Sequence, residues 1–159
     1  MNKPAVIAAI IAQLRSELAL FTSTAQATHA EATHEENKAE DKYDTRGLEA
    51  SYLAMGQLKQ AGELQQAVQS FESLAVRDFA SGDAISLGAL VTLESGGQRA
   101  HYFIGPRAGG TEVTCEDLPI LVITPQSPLG RQLMDRHEGS HIPLDLGGRR
   151  SSQLVARVC

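Results

Sequence analysis

ITPQSPLGRQLMDRHEGSHIPLDLGGRR, residues 123–150, changes structural rhythm twice within its length. Ile123 belongs to an apolar run, ILVIT, that reads as a short strand. Ser127 then stands in N-cap position with Pro128 at the first helical position, so SPLGRQLMDR predicts a short helix. Gly139 and Ser140 end that helix, and HIPLDL and SQLVARV, separated by Gly147-Gly148, predict a closing strand hairpin.

The residues just upstream extend the same pattern. LGALVTLES alternates enough for a strand that stops at Gly96-Gly97, RAHYFIG follows as a second strand, GPRAGG is a loop, and TEVTC is a further short β run. Several strands with one short helix make residues 77–159 a small α+β domain. SGD at 81–83 is a turn or linker, which puts the boundary near residues 76–82.

Residues 1–76 carry a different period. Ile7, Ile11, Leu14, Leu18, Phe21, Ala25, Thr28 and Ala32 are spaced by alternating fours and threes, keeping one narrow face turned to a partner. The same rhythm returns at Ala50, Ala54, Gln57, Ala61, Leu64, Val68, Phe71 and Ala75, with Leu53 and Leu58 beside the seam. Two matching stripes joined by a polar break predict an antiparallel coiled-coil hairpin. At 1.5 Å per residue its arms would be on the order of 45 Å long. Both seams shrink to alanine toward the break, which lets the helices approach closely there.

The break is where the charge is. The formal net charge of the chain is −5, and Glu31, Glu35, Glu36, Glu40, Asp41, Asp44 and Glu49 face only Lys38, Lys42 and Arg46 within residues 31–49. That balance disfavours direct contact of this segment with nucleic acid and allows a metal ion or a basic channel. Cys115 and Cys159 lack a metal-ligand spacing and are too few for a disulfide framework, which fits a reducing compartment. The apolar start at Lys3 is interrupted by Gln13, Arg15 and Glu17 at helical intervals, an amphipathic helix rather than a signal peptide. No run was expected to reach the roughly 20 apolar residues of a membrane span. These features together predict a soluble, cytoplasmic protein.

Taken with LGALVTLES and YFIGP, the stretch at 123–150 resembles the C-terminal domain of the Gre transcript-cleavage factors, the GreA/GreB family. Ser127-Pro128-Leu129-Gly130-Arg131 matches that family's helix motif, Gly139 its turn and Gly147-Gly148 its last hairpin. The resemblance covers both halves, because the family also begins with a long coiled-coil hairpin. It implies an FKBP-like C-terminal domain that binds RNA polymerase core or its elongation complex, with the Ser127–Arg131 region as candidate contact. It also implies a coiled coil inserted into the secondary channel, reaching the transcript 3′ end indirectly, with no membrane and no sequence-specific DNA binding. In this reading the chain is no enzyme and has no cofactor of its own. Tip carboxylates help the polymerase hold a shared Mg²⁺ and a water, so that a backtracked transcript is hydrolysed by the polymerase.

The tip can be read in two registers. The family carries Asp-x-x-Glu followed by Asn-Ala-Glu-Tyr, and Glu49-Ala50-Ser51-Tyr52 stands at the latter. Without a gap, Thr45 and Leu48 fall at the acidic positions, and the chain reads as a channel regulator that modulates or inhibits polymerase without cleavage. With a gap of four residues, Asp41 and Asp44 become the acidic pair, with Glu40 and Glu49 as neighbours.

Several competing motifs are set aside on sequence grounds. His137-Glu138-Gly139-Ser140-His141 satisfies the zinc-protease pattern H-E-x-x-H, but that site needs one continuous helix, and Gly139, Ser140 and Pro143 break it. GPRAGGTE lacks the lysine and hydroxyl of a phosphate loop. His29 and His34 read as solvated residues near the tip, His101 as a structural histidine on a strand, and Arg149-Arg150 as a surface turn. With no tryptophan, the chain is poor in material for a prolyl-isomerase pocket.

Overall fold

The structure is a computed structural model that describes residues 2–33, 46–80, 82–146 and 149–159. The fold is α+β. Two long helices, α1 (Lys3–Thr33) and α2 (Arg46–Glu72), precede four strands, β1 (Leu90–Ser95), β2 (Gln98–Ile104), β3 (Glu112–Cys115) and β4 (Leu118–Ile123). A short helix α3 (Pro128–Leu133) and two strands, β5 (His141–Leu146) and β6 (Arg149–Val158), complete the chain. The strands form one sheet in the order β3-β4-β2-β1-β6-β5. Neighbours are antiparallel except β2 and β4, which run parallel.

Residues 1–11 and 69–159 make one compact unit, in which both faces of the sheet are apolar. On one face Val91, Leu93, Ile104, Ile123 and Val155 join Phe79, Ile85, Leu133 and Ile142 in a buried cluster. Leu129 and Met134 pack on its edge, so α3 covers this side. On the other face, strand register aligns Leu90 with Phe103 and Phe103 with Val122, and all are buried. The Phe71 ring lies 6.1 Å from that of Phe103, and Val6 and Ile10 are fully buried, so the start of α1 and the end of α2 supply the second cover. Gly105 makes the approach possible, since a Cβ there would sit 2.7 Å from Phe71 Cζ.

Register also explains a bulge. Thr92 pairs with Arg157 but Leu93 pairs with Val155, so Ala156 is an extra residue on β6. Side chains two apart on a regular strand share a face. The extra residue lets Val155 enter the α3-side core while Arg157 stands on the opposite face.

Asn2 caps α1 by accepting a hydrogen bond from Ala5 N at 3.3 Å, with Pro4 in the first turn. Lys3 is 5% exposed: its Nζ donates to Arg77 O at 2.5 Å and lies 4.5 Å from the Phe79 ring centroid, with the Arg77 guanidinium 4.0 Å from the same ring. Burial pushes the Lys3 ammonium pKa down, against the opposing pull of Asp78 and Cys159.

Residues 12–68 make the second compact unit. Leu14, Ala25, Ala54, Ala61, Leu64 and Val68 are buried there, all of them seam positions in the sequence pattern, whereas the residues flanking Ala25, Ala54 and Ala61 are exposed. Two expectations change. The sequence pattern extends the seam to Ala75, but α2 stops at Glu72 and Ala75 is exposed in the following segment. The helix over Lys3–Ala30 is long and apolar enough, by length and composition, to cross a membrane, although no such run was expected. Within it Val6, Ile7, Ile10 and Leu14 are buried in the protein, while Leu20 is 64% exposed.

Truncating the Phe71 side chain should leave a cavity between α2 and the sheet. Phe71→Ala is expected to lower unfolding free energy by about 3–5 kcal/mol, read from urea titrations followed by circular dichroism.

Candidate functional site

The motif at 127–131 is built as a capped helical turn. Ser127 is extended at φ −64° and ψ 156°; its Oγ accepts from Gly130 N at 3.0 Å and donates to Thr124 O at 2.8 Å. Pro128 follows where a helix has no use for an N–H. Leu129 reaches the edge of the core, and Gly130 is buried so closely that a Cβ would overlap the Thr124 carbonyl oxygen. Arg131 is exposed and donates from Nη1 to Gln126 O. Ser127, Leu129 and Gly130 thus hold the turn together, while Pro128 and Arg131 present their side chains outward.

α3 is shorter than the ten residues of SPLGRQLMDR. Met134 leaves helical geometry at φ −52° and ψ 138°, and Asp135 adopts φ 63°. Asp135 N instead donates to Ile85 O and Ile85 N to Arg136 O, at 3.0 and 2.7 Å. Those bonds tie the end of α3 to the segment before β1, a competition invisible to local propensity.

Of the sequence-predicted tip acids, Glu40, Asp41 and Asp44 lie outside the described residues, as do His34 and Gly147-Gly148. Glu49 is exposed in the first turn of α2, where an acid complements the helix dipole. Leu48, the alternative occupant of an acidic position, is 57% exposed beside it.

The H-E-x-x-H residues are separated by the fold, as the broken helix predicted. His137 Nδ1 is 3.0 Å from Gly82 O, Glu138 Oε2 accepts from Val158 N at 3.1 Å, and His141 on β5 has its Nδ1 3.2 Å from Ser152 Oγ. Among the described residues, no group of three or more His, Cys, Asp or Glu side chains could hold a metal ion. His101 on β2 makes a 3.0 Å hydrogen bond through Nδ1 with Thr92 Oγ1 on β1. Burial, and secondarily the charge of Arg99, push its pKa below the usual 6.5.

No protein-family model matches the chain, and no curated protein does. Among solved structures, it is similar to GreA factor homolog 1 (Gfh1) of Thermus thermophilus, with 21% identity, 94% of each chain covered and a TM-score of 0.39. A structure described as the transcription factor Gfh1 matches at 23% identity over 94% of this chain and 93% of that one, with a TM-score of 0.41. Thermus aquaticus Gfh1 matches at 20% identity over 92% and 91%, with a TM-score of 0.39.

Two outcomes follow from the local geometry. Ser127→Ala should cost about 1 kcal/mol of stability, and Gly130→Ala clearly more, because the carbonyl it meets is backbone and cannot rotate away; urea midpoints rank the two. Lowering the pH tests His101. The unfolded imidazole takes up a proton as pH falls through 6.5 while the folded one resists, so its stabilising contribution is present above 6.5 and lost as pH drops through the folded pKa. His101→Gln should lose less stability than wild type between pH 7 and pH 5 in parallel thermal melts.

Proposed function

We propose that this chain is a Gre-like accessory factor of bacterial RNA polymerase, acting in the cytoplasm. In this reading the sheet-bearing unit anchors it to the core enzyme or elongation complex, and the two long helices carry the acid-rich segment into the secondary channel. The observation that carries the reading is the Ser127-Pro128-Leu129-Gly130-Arg131 motif in its strand-turn-helix setting. The acid-rich residues 31–49 joining two helices with apolar seams give it a second support.

The chemistry asked of the chain is modest. Asp41 and Asp44 would offer carboxylate oxygens, the ligand type a hard cation such as Mg²⁺ prefers, to an ion held by the polymerase. Glu40 and Glu49 would add negative potential nearby. With Mg²⁺ bound, a coordinated water becomes a better nucleophile toward a phosphodiester. The hydrolysis remains the polymerase's own, so the chain is an accessory factor and not an enzyme. Pro128 and Arg131 are exposed on α3, and through them the motif would meet a partner surface.

The ungapped register favours a second reading, a regulator that occupies the same channel without supporting cleavage, because it puts exposed Leu48 where an acid would stand. A backtracked elongation complex with labelled transcript separates the two. Wild type should shorten the transcript, and Asp41→Asn/Asp44→Asn should reduce that cleavage at least tenfold while still binding. Inhibited elongation with no shortening would establish the regulator instead, and absence of any effect on transcription would remove both readings.

A further inference from the structure

The sheet face opposite α3 has apolar cover over Leu90, Phe103 and Val122, but its next rows are polar. Register places Arg157, Thr92, His101 and Ile120 in one row across β6, β1, β2 and β4. Glu94 and Arg99 pair directly in the row beyond. A cleft of about 540 Å³ opens here, lined by Thr92, Arg99, His101, Glu116, Leu118, Ala156 and Arg157. That volume lies within the range of small-molecule sites, roughly 300–1,000 Å³.

The floor and the walls differ in character. Thr92 is 6% exposed and Ile120 fully buried, and the Thr92 hydroxyl is fixed by its bond to His101 Nδ1, leaving Nε2 of that ring as its second polar atom. The lining carries two cationic side chains, Arg99 and Arg157, and one acid, Glu116. Arg99 holds Glu94 at 2.9 Å through Nε, which leaves its two terminal nitrogens for another acceptor. Among the described residues no acid pairs with Arg157. Glu116, the remaining acid, accepts from Asn2 N at 3.2 Å. The β6 bulge is what turns Arg157 to this face, and bulges commonly re-aim a side chain at a site. Leu118 on β4 and Ala156 on β6 add apolar surface at opposite sides of the cleft.

We propose that this cleft binds a phosphorylated small molecule of nucleotide size, with Arg157 and Arg99 as phosphate ligands and Leu118 packing against its less polar part. Two planar, permanently charged forks that converge on one cleft suit a multi-oxygen anion, which each can engage bidentately. The inference is independent of the polymerase reading and stands whether or not the chain binds polymerase.

The full chain should be titrated with uridine monophosphate, inorganic phosphate and uridine at constant ionic strength, monitoring thermal unfolding and amide NMR shifts. Uridine monophosphate is expected to raise the melting temperature progressively with concentration and to shift the amides of Thr92, His101 and Ala156. Phosphate should do so more weakly, and uridine not at all. Arg157→Gln should weaken the nucleotide's apparent affinity about tenfold or more, and Arg99→Gln should do likewise, with urea midpoints reporting that each variant still folds. Equal stabilisation of wild type and both variants, or shifts scattered away from the cleft, would overturn the proposal, as would no response to either anion.

Discussion

Phe71 lies against Phe103 and over the bare Cα of Gly105. This contact joins the end of a long helix to the middle of the sheet, and the rest of the sheet-bearing unit follows from it. A sheet with two apolar faces cannot be stable with α3 on one side alone. The second cover has to come from chain distant in sequence, and Val6, Ile10 and Phe71 provide it. Lys3 and Arg77 then close around the Phe79 ring, so the first residues of the chain are held next to the segment that follows α2.

A second constraint acts at the edge of that cover. Ala156 breaks the pairing of β6 with β1, so that Val155 serves one face and Arg157 the other. Beyond the apolar rows this leaves a polar cleft floored by Thr92 and bordered by guanidinium groups. One inserted residue therefore both completes the hydrophobic cluster and determines the chemistry presented on its reverse side.

Much of this was legible in the sequence because the deciding signals are local. Ser127 and Pro128 marked the start of α3, glycine pairs marked strand ends, and alternating threes and fours marked the helical seams. The failures have physical causes. The end of α3 depends on backbone bonds from Asp135 and Arg136 to Ile85, which no local pattern encodes. Phe79 enters the core from the stretch read as the domain boundary and Ile85 from just beyond it, because their burial depends on distant partners. Parallel pairing of β2 with β4 and the bulge at Ala156 are likewise products of tertiary registration. His101 read correctly as a strand histidine, but its place in a polar cleft required the cross-strand rows. The motif at 127–131 was legible as a resemblance, and the structure gives three of its five residues a folding role: Ser127 and Gly130 through cap and close packing, Leu129 through the core edge.

In the proposed function the sheet-bearing unit anchors the chain, and the acid-rich residues 31–49 act inside the polymerase channel. The central claim is positional: residues 31–49 must reach the interior of the polymerase. A photo-crosslinking amino acid in place of Tyr43, introduced into the full chain and irradiated with a backtracked elongation complex, reads that position directly. Crosslinks to polymerase segments lining the secondary channel, near the catalytic centre, are the expected result. Crosslinks confined to the outer surface of the polymerase, or none despite binding, would contradict it.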